Sequence, residues 1–161
     1  MEIHLNSYFP SIVYSHPKVI LLTINLNIIQ YNPFFYYYSS IMEFKKEFTL
    51  AQRKMESDRV LTKYPDRIPI ICERSTKSKM GTLDKKKYLV PVDLTTGQFV
   101  YIIRRRLQLP AEKAIFLFIG PVIPPSNATV QDVYHQYKDK DGFLYIQYSE
   151  ENVFGGGSSN G

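Results

Sequence analysis

The stretch LDKKKYLVPVDLTTGQFVYIIRRR, Leu83 to Arg106, decides the fold. Lys87 to Pro91 reads as a β-strand, stopped by a proline that cannot donate to a sheet ladder. Thr95 and Gln98 stand at the spacing of a capping box, so a helix opens there. Phe99, Ile102, Ile103 and Leu107 follow at helical spacing, forming an apolar stripe with Arg104, Arg105 and Arg106 outside it. A strand of this kind can accept a partner strand along an open edge. The helix beside it offers apolar and cationic groups to the partner's side chains.

Toward the N-terminus, Thr49 and Gln52 form another capping box and predict a helix carrying Leu50, Met55 and Val60. Tyr64-Pro65-Asp66 breaks that pattern, because the residue before a proline is pushed out of the helical region. Arg67 to Glu73 then reads as a strand, and Ser75 to Thr82 as a polar loop turning at Gly81. On the other side, Ala114 to Ile119 is nearly all apolar and predicts a central strand buried on both faces. Gly120-Pro121 fits a type II′ turn. Ser126 or Asn127 is placed to cap a short helix bearing Val130, Val133, Tyr134 and Tyr137, and Asp141-Gly142 turns the chain into a last strand, Phe143 to Tyr148. Helix, strand, strand, helix, strand, short helix, strand is the order of an α+β sheet with a helix packed across it.

The whole chain of 161 residues has room for one ordinary core, with 10 Phe, 13 Tyr and no Trp to fill it. A net charge of +5 favours acidic partners without choosing among nucleic acid, anionic lipid and acidic peptide. The single cysteine, Cys72, excludes a disulfide framework, fits a reducing compartment, and lies in the apolar run Ile68-Pro69-Ile70-Ile71-Cys72 as a buried thiol. Residues 1–41 carry only Glu2 and Lys18 as charges, and composition changes abruptly at Met42. Their apolar run, Val19 to Ile29, falls short of the roughly 20 residues a membrane span needs. No small-residue cleavage site follows it, which argues against a signal peptide. Residues 1–41 therefore read as a disordered extension, or as lying outside a native product that starts at Met42.

Two other function classes meet specific objections. Lys85-Lys86-Lys87 and Arg104-Arg105-Arg106 could serve a small basic nucleic-acid-binding protein, but such a site needs exposed aromatics for stacking, and these sit mostly at core-spaced positions. An enzyme is disfavoured because His135, the sole histidine after Met42, has no Cys or paired carboxylate at metal or triad spacing. Asp139 and Asp141 flank a turn and are expected to be solvated.

KYPDRIP (63–69), LDKKKYLVP (83–91), DLTTGQFVYIIRRR (93–106), Pro124-Pro125 and DGFLYIQYSEENVFG (141–155) together resemble the autophagy-related protein 8 family of ubiquitin-like modifiers. That family includes the microtubule-associated-protein light-chain-three and gamma-aminobutyric-acid-receptor-associated proteins. The resemblance covers Met42 to Gly155 and implies a β-grasp ubiquitin-like domain over 42–149, with two additional N-terminal helices. Residues 150–161, polar and glycine-rich, are expected to form a flexible tail. The extension before Met42, Gly120-Pro121 in place of polar turn residues, and the six residues after Gly155 depart from the family pattern.

The resemblance implies that an autophagy cysteine protease cuts before Gly156 and removes 156–161. Gly155 would then pass through activating and conjugating enzymes and be amide-linked to phosphatidylethanolamine, the only group attached. A glycine suits this, since without a Cβ it can thread a narrow channel. Cargo receptors and adaptors with an aromatic-x-x-aliphatic motif would add a strand to the Lys87–Val90 edge. Glu56, Val60, Pro69, Lys87, Leu89 and Phe143 would line the aromatic pocket. Tyr88, Val90, Pro91, Leu94, Phe99 and Ile102 would line the aliphatic one. Arg67, Lys85 and Arg106 would pair with acidic flanks. A monomer is implied, cytoplasmic and then on autophagosome or vacuole/lysosome membranes through its lipid, with microtubules a further family partner. A second face around Phe116, from Ile115 to Phe118, serves helical partners in some members.

Overall fold

The computed structural model describes residues 42–150. In chain order these form α1 (Glu43–Glu47), α2 (Leu50–Lys63), β1 (Arg67–Arg74), β2 (Lys87–Pro91), α3 (Thr96–Arg106), β3 (Phe116–Phe118), α4 (Val130–Tyr137) and β4 (Leu144–Ser149). The expectations placed on residues 1–41 and on Gly155 with the rest of the tail lie outside the described residues.

The two capping boxes form as the spacing predicts. The Thr49 and Thr95 side chains accept the N–H groups of Gln52 and Gln98, and each glutamine reaches back to its threonine's own N–H. The cap of α4 differs from expectation: Thr129 fills it, accepting from the Asp132 N–H, rather than Ser126 or Asn127. The carbonyls of Ser126 and Ala128 are already engaged, accepting at 2.9 Å from the N–H groups of Gly97 and Thr96. The segment is thus held to the start of α3, and a helix can begin only beyond it.

A four-stranded sheet has the order β2-β1-β4-β3. β1 pairs antiparallel with β2 and parallel with β4, and β3 pairs antiparallel with β4. The central positions therefore belong to β1 and β4. The apolar run Ala114 to Ile119 is not a central strand: only Phe116–Phe118 pairs, at the outer edge. Its Leu117 and Ile119 are apolar because they enter the core beneath the sheet, not because strands flank both sides. Gly120, at φ 56°, reverses the chain, and Ile119 and Val122 exchange hydrogen bonds of 2.8 and 3.1 Å across Gly120-Pro121. Proline's fixed negative φ at the second position leaves type II′ as the primed turn that fits. In the β1–β2 connection the turn falls at Thr76-Lys77, where the Ser78 N–H reaches the Ser75 carbonyl at 3.0 Å, and not at Gly81.

Side-chain alternation divides the interior between the sheet's faces. Ile68, Ile70 and Cys72 of β1 join Val90, Leu144, Ile146 and Tyr148 under Phe99 and Ile103 of α3. On the other face Ile71 and Tyr145 meet Phe143, Met42 and Phe44, which anchor α1. Glu73 holds the start of α1, its carboxylate accepting from the N–H groups of Glu43 (2.7 Å) and Phe44 (2.9 Å). Cys72 is a buried thiol, as expected, and burial pushes its pKa up.

α2 reaches the body through a polar face. Met55 is 70% exposed and Leu50 41%, while Arg53 and Ser57 are buried. Contrary to expectation, Asp141 is not solvated but 0% exposed. Its Oδ2 accepts from Arg53 Nε and from the Tyr145 hydroxyl, both at 2.7 Å, and its Oδ1 from the Phe143 N–H at 3.1 Å. The Ser57 hydroxyl donates to the Asp141 carbonyl. Asp139 is likewise engaged, 2.6 Å from Lys45 Nζ. The turn between them needs Gly142, at φ 84°, where an added Cβ would come within 2.6 Å of Ser57 Oγ.

Candidate functional site

β2 lies at the edge of the sheet, and two ladder bonds fix which of its backbone groups face outward. The Cys72 N–H donates to the Lys86 carbonyl at 2.8 Å, and the Val92 N–H to the Asp66 carbonyl at 3.1 Å. Antiparallel ladders alternate, so Lys86, Tyr88, Val90 and Val92 turn their backbones toward β1. Lys87 and Leu89 turn their N–H and C=O groups to the open edge, whereas Pro91 has no N–H and its carbonyl accepts from the Leu94 N–H. Pro69 pairs with Leu89, at a position that makes no hydrogen bond to β2, so its missing N–H leaves that ladder intact.

The same alternation sends β2 side chains to both faces. Lys87 and Leu89 lie with Ile71 and Pro69 on the α1 side, and Tyr88 and Val90 on the α3 side. On the first side Glu56 of α2 holds Lys87 Nζ at 2.7 Å. Leu89 is 37% exposed beside buried Pro69, and Val60 is half-buried in the last turn but one of α2. Phe143 is buried, packed edge-on to Phe44 with ring centroids 5.4 Å apart, and so belongs to the core on this face rather than to its surface. Phe44 and Phe48 were missed in the sequence: Lys87 Nζ lies 5.1 and 5.2 Å from their ring centroids. Their i, i+4 spacing was the available signal.

On the second side Tyr88 meets Phe99 edge-on at 5.5 Å. Val90 and Phe99 are buried, with Tyr88, Leu94 and Ile102 half-buried against the same core. The turn after β2, with Leu94 N–H to Pro91 carbonyl at 3.2 Å, returns the chain to this cluster. The Tyr88 hydroxyl is buried with no hydrogen-bond partner among the described residues, and burial raises its pKa. Of the three cations expected at the rim, Arg67 has Asp66 at 3.7 Å and Lys85 is exposed. Arg106 spans Asp84 at 3.4 Å and the Tyr88 ring at 5.6 Å, so it lies against the α3 side of β2. Phe116 is half-buried at the opposite edge of the sheet, remote in strand order from β2.

A mixed four-stranded sheet crossed by α3, with helices α1 and α2 ahead of it, defines a ubiquitin-like protein. The family model described as "Autophagy protein Atg8 ubiquitin like" matches residues 52–155. The chain belongs to the autophagy-related protein 8 family. It is similar to Autophagy-related protein 8 of Kluyveromyces lactis, 58% identical over 112 residues, covering 70% of this chain and 90% of that one. The Schizosaccharomyces pombe protein of the same name is 57% identical over 113 residues, covering 70% and 93%. Among solved structures, Trypanosoma brucei ATG8 superimposes with a TM-score of 0.65 at 46% identity, over 67% of this chain and 93% of that one. Plasmodium falciparum Atg8, solved in complex with a Plasmodium falciparum Atg3 peptide, gives 0.64 at 34% identity, over 69% and 98%. The chain is therefore a ubiquitin-like modifier of autophagy.

Proposed function

We propose that this modifier is cut after Gly155, linked there to phosphatidylethanolamine on autophagosomal membranes, and used to recruit proteins bearing an aromatic-x-x-aliphatic motif. One observation carries the recruiting role: β2 leaves Lys87 and Leu89 backbone groups open at a sheet edge, with Leu89 beside Pro69 on one face and half-buried Tyr88, Leu94 and Ile102 on the other. An added strand would use the backbone groups for affinity, and its alternate side chains would meet these two faces for specificity. Cationic Arg67, Lys85 and Arg106 at the rim suit acidic flanks, acting mainly on association rate and salt dependence. The Atg3 peptide bound by the Plasmodium relative supports a conjugating enzyme as one partner. The sequence Phe154-Gly155 supports the conjugation point, because a glycine carbonyl is the least hindered toward an attacking amine.

The test is expression of the full chain in autophagy-competent cells beside Gly155→Ala. Wild type is expected to convert to a faster-migrating, membrane-bound species and the variant to stay unprocessed. Conversion of the variant to that species refutes the assignment of Gly155.

A further inference from the structure

Where the chain leaves the sheet for its tail, its direction is fixed by the β1–β2 connection. The Ser75 N–H donates to the Tyr148 carbonyl at 2.9 Å, carrying the β1–β4 ladder past the end of β1. Glu150, next after β4, is then clamped through both carboxylate oxygens. Oε2 accepts from the Ser78 hydroxyl, and Oε1 from the Lys79 N–H at 2.8 Å. Ser78 Oγ in turn accepts from the Met80 N–H at 3.1 Å, so the hydroxyl proton is directed at Glu150. The Ser78 hydrogen bond is the largest influence on Glu150 and holds its carboxyl below the usual range.

The Glu150 side chain itself lies outside the core, since Glu150 follows the last paired residue, Ser149. Five residue steps from Glu150 to Gly155 span at most about 18 Å, so fixing Glu150 bounds the volume in which Gly155 can be found. A segment held near its working position loses less freedom on entering an enzyme.

We propose that Ser78 and Glu150 are positioning residues for C-terminal processing, setting where the tail departs so that the Gly155–Gly156 bond reaches the protease. This rests on the processing reading given above. The step is hydrolysis: the C–N bond breaks, water's hydroxyl joins the Gly155 carbonyl carbon, and its proton goes to the Gly156 nitrogen.

Release of residues 156–161 from the purified full chain by the autophagy cysteine protease is followed by mass spectrometry, with kcat and KM determined separately. Glu150→Ala and Ser78→Ala are expected to raise KM about tenfold, the scale of one residue's backbone ordering, with kcat little changed. Glu150→Gln is expected to stay within about twofold of wild type, since its amide oxygen can accept from Lys79 and its amino group can donate to Ser78. Wild-type KM in Glu150→Ala, or a KM as poor in Glu150→Gln as in Glu150→Ala, overturns the positioning role while leaving processing intact. A wild-type chain not cut after Gly155 overturns both.

Discussion

Asp141→Asn tests how α2 is held to the rest of the molecule. The carboxylate is fully buried and serves three donors, Arg53 Nε and the Tyr145 hydroxyl at 2.7 Å and the Phe143 N–H at 3.1 Å. An asparagine of the same shape has one acceptor oxygen and one amino group. Whichever way it is turned, an N–H faces another donor, and the buried guanidinium loses its counter-charge. Breaking a buried pair from one side costs about 3–5 kcal/mol. That is a large part of the roughly 5–15 kcal/mol that stabilises an ordinary domain, and corresponds to a fall in Tm of about 10–25 °C. The chain has no Trp, so guanidinium unfolding is followed by far-UV circular dichroism. A cycle with Arg53→Met should give a coupling of about 2 kcal/mol or more. A loss under about 1 kcal/mol, or strict additivity in the cycle, refutes the account of Asp141 as the clasp of α2.

Leu89→Ala should weaken a motif peptide by about 2 kcal/mol in calorimetry at moderate salt, whereas Arg106→Ala should change mainly association rate and salt dependence; equal small losses contradict the pocket assignment. Tyr88→Phe removes a buried hydroxyl without a partner and should stabilise the protein by about 1 kcal/mol in denaturant unfolding; destabilisation would show that the hydroxyl is satisfied. Tyr88, Tyr134, Tyr145 and Tyr148 all have pKa values raised, chiefly by burial. Unfolded tyrosine ionises near 10, so above that pH the unfolded chain holds fewer protons and stability falls as pH rises toward the folded values. Absorbance at 295 nm should therefore show a cooperative alkaline step coincident with loss of structure; smooth titration of all tyrosines near 10 with the fold intact would contradict it.

What could be read from the sequence was whatever is set locally. The Thr49 and Thr95 boxes and the Lys87–Pro91 strand depend on neighbours within four residues, and each forms as predicted. Ala114 to Ile119 misled because apolar composition reports burial and not its source, and here the source is the core below an edge strand. Asp141 misled because a polar residue beside a glycine turn looks solvated until a distant arginine, Arg53, is brought to it. α1 is only five residues long, so the single i, i+4 spacing of Phe44 and Phe48 did not stand out as a helical period behind Lys87. The edge position of β2 was legible, but not that Phe143 would be sealed behind Phe44.

The parallel pairing of β1 with β4 has a mechanical side. The strands end together, Arg74 opposite Tyr148, and the tail leaves from that end. Traction on the tail along β4 would slide it past β1, and the bonds between them, lying across the pull, would share the force and fail together, where a sideways pull would unzip them one by one. β2 stands on the far side of β1 from that seam. A chain tugged by its tail would keep its β2 edge in register until the seam itself gave way.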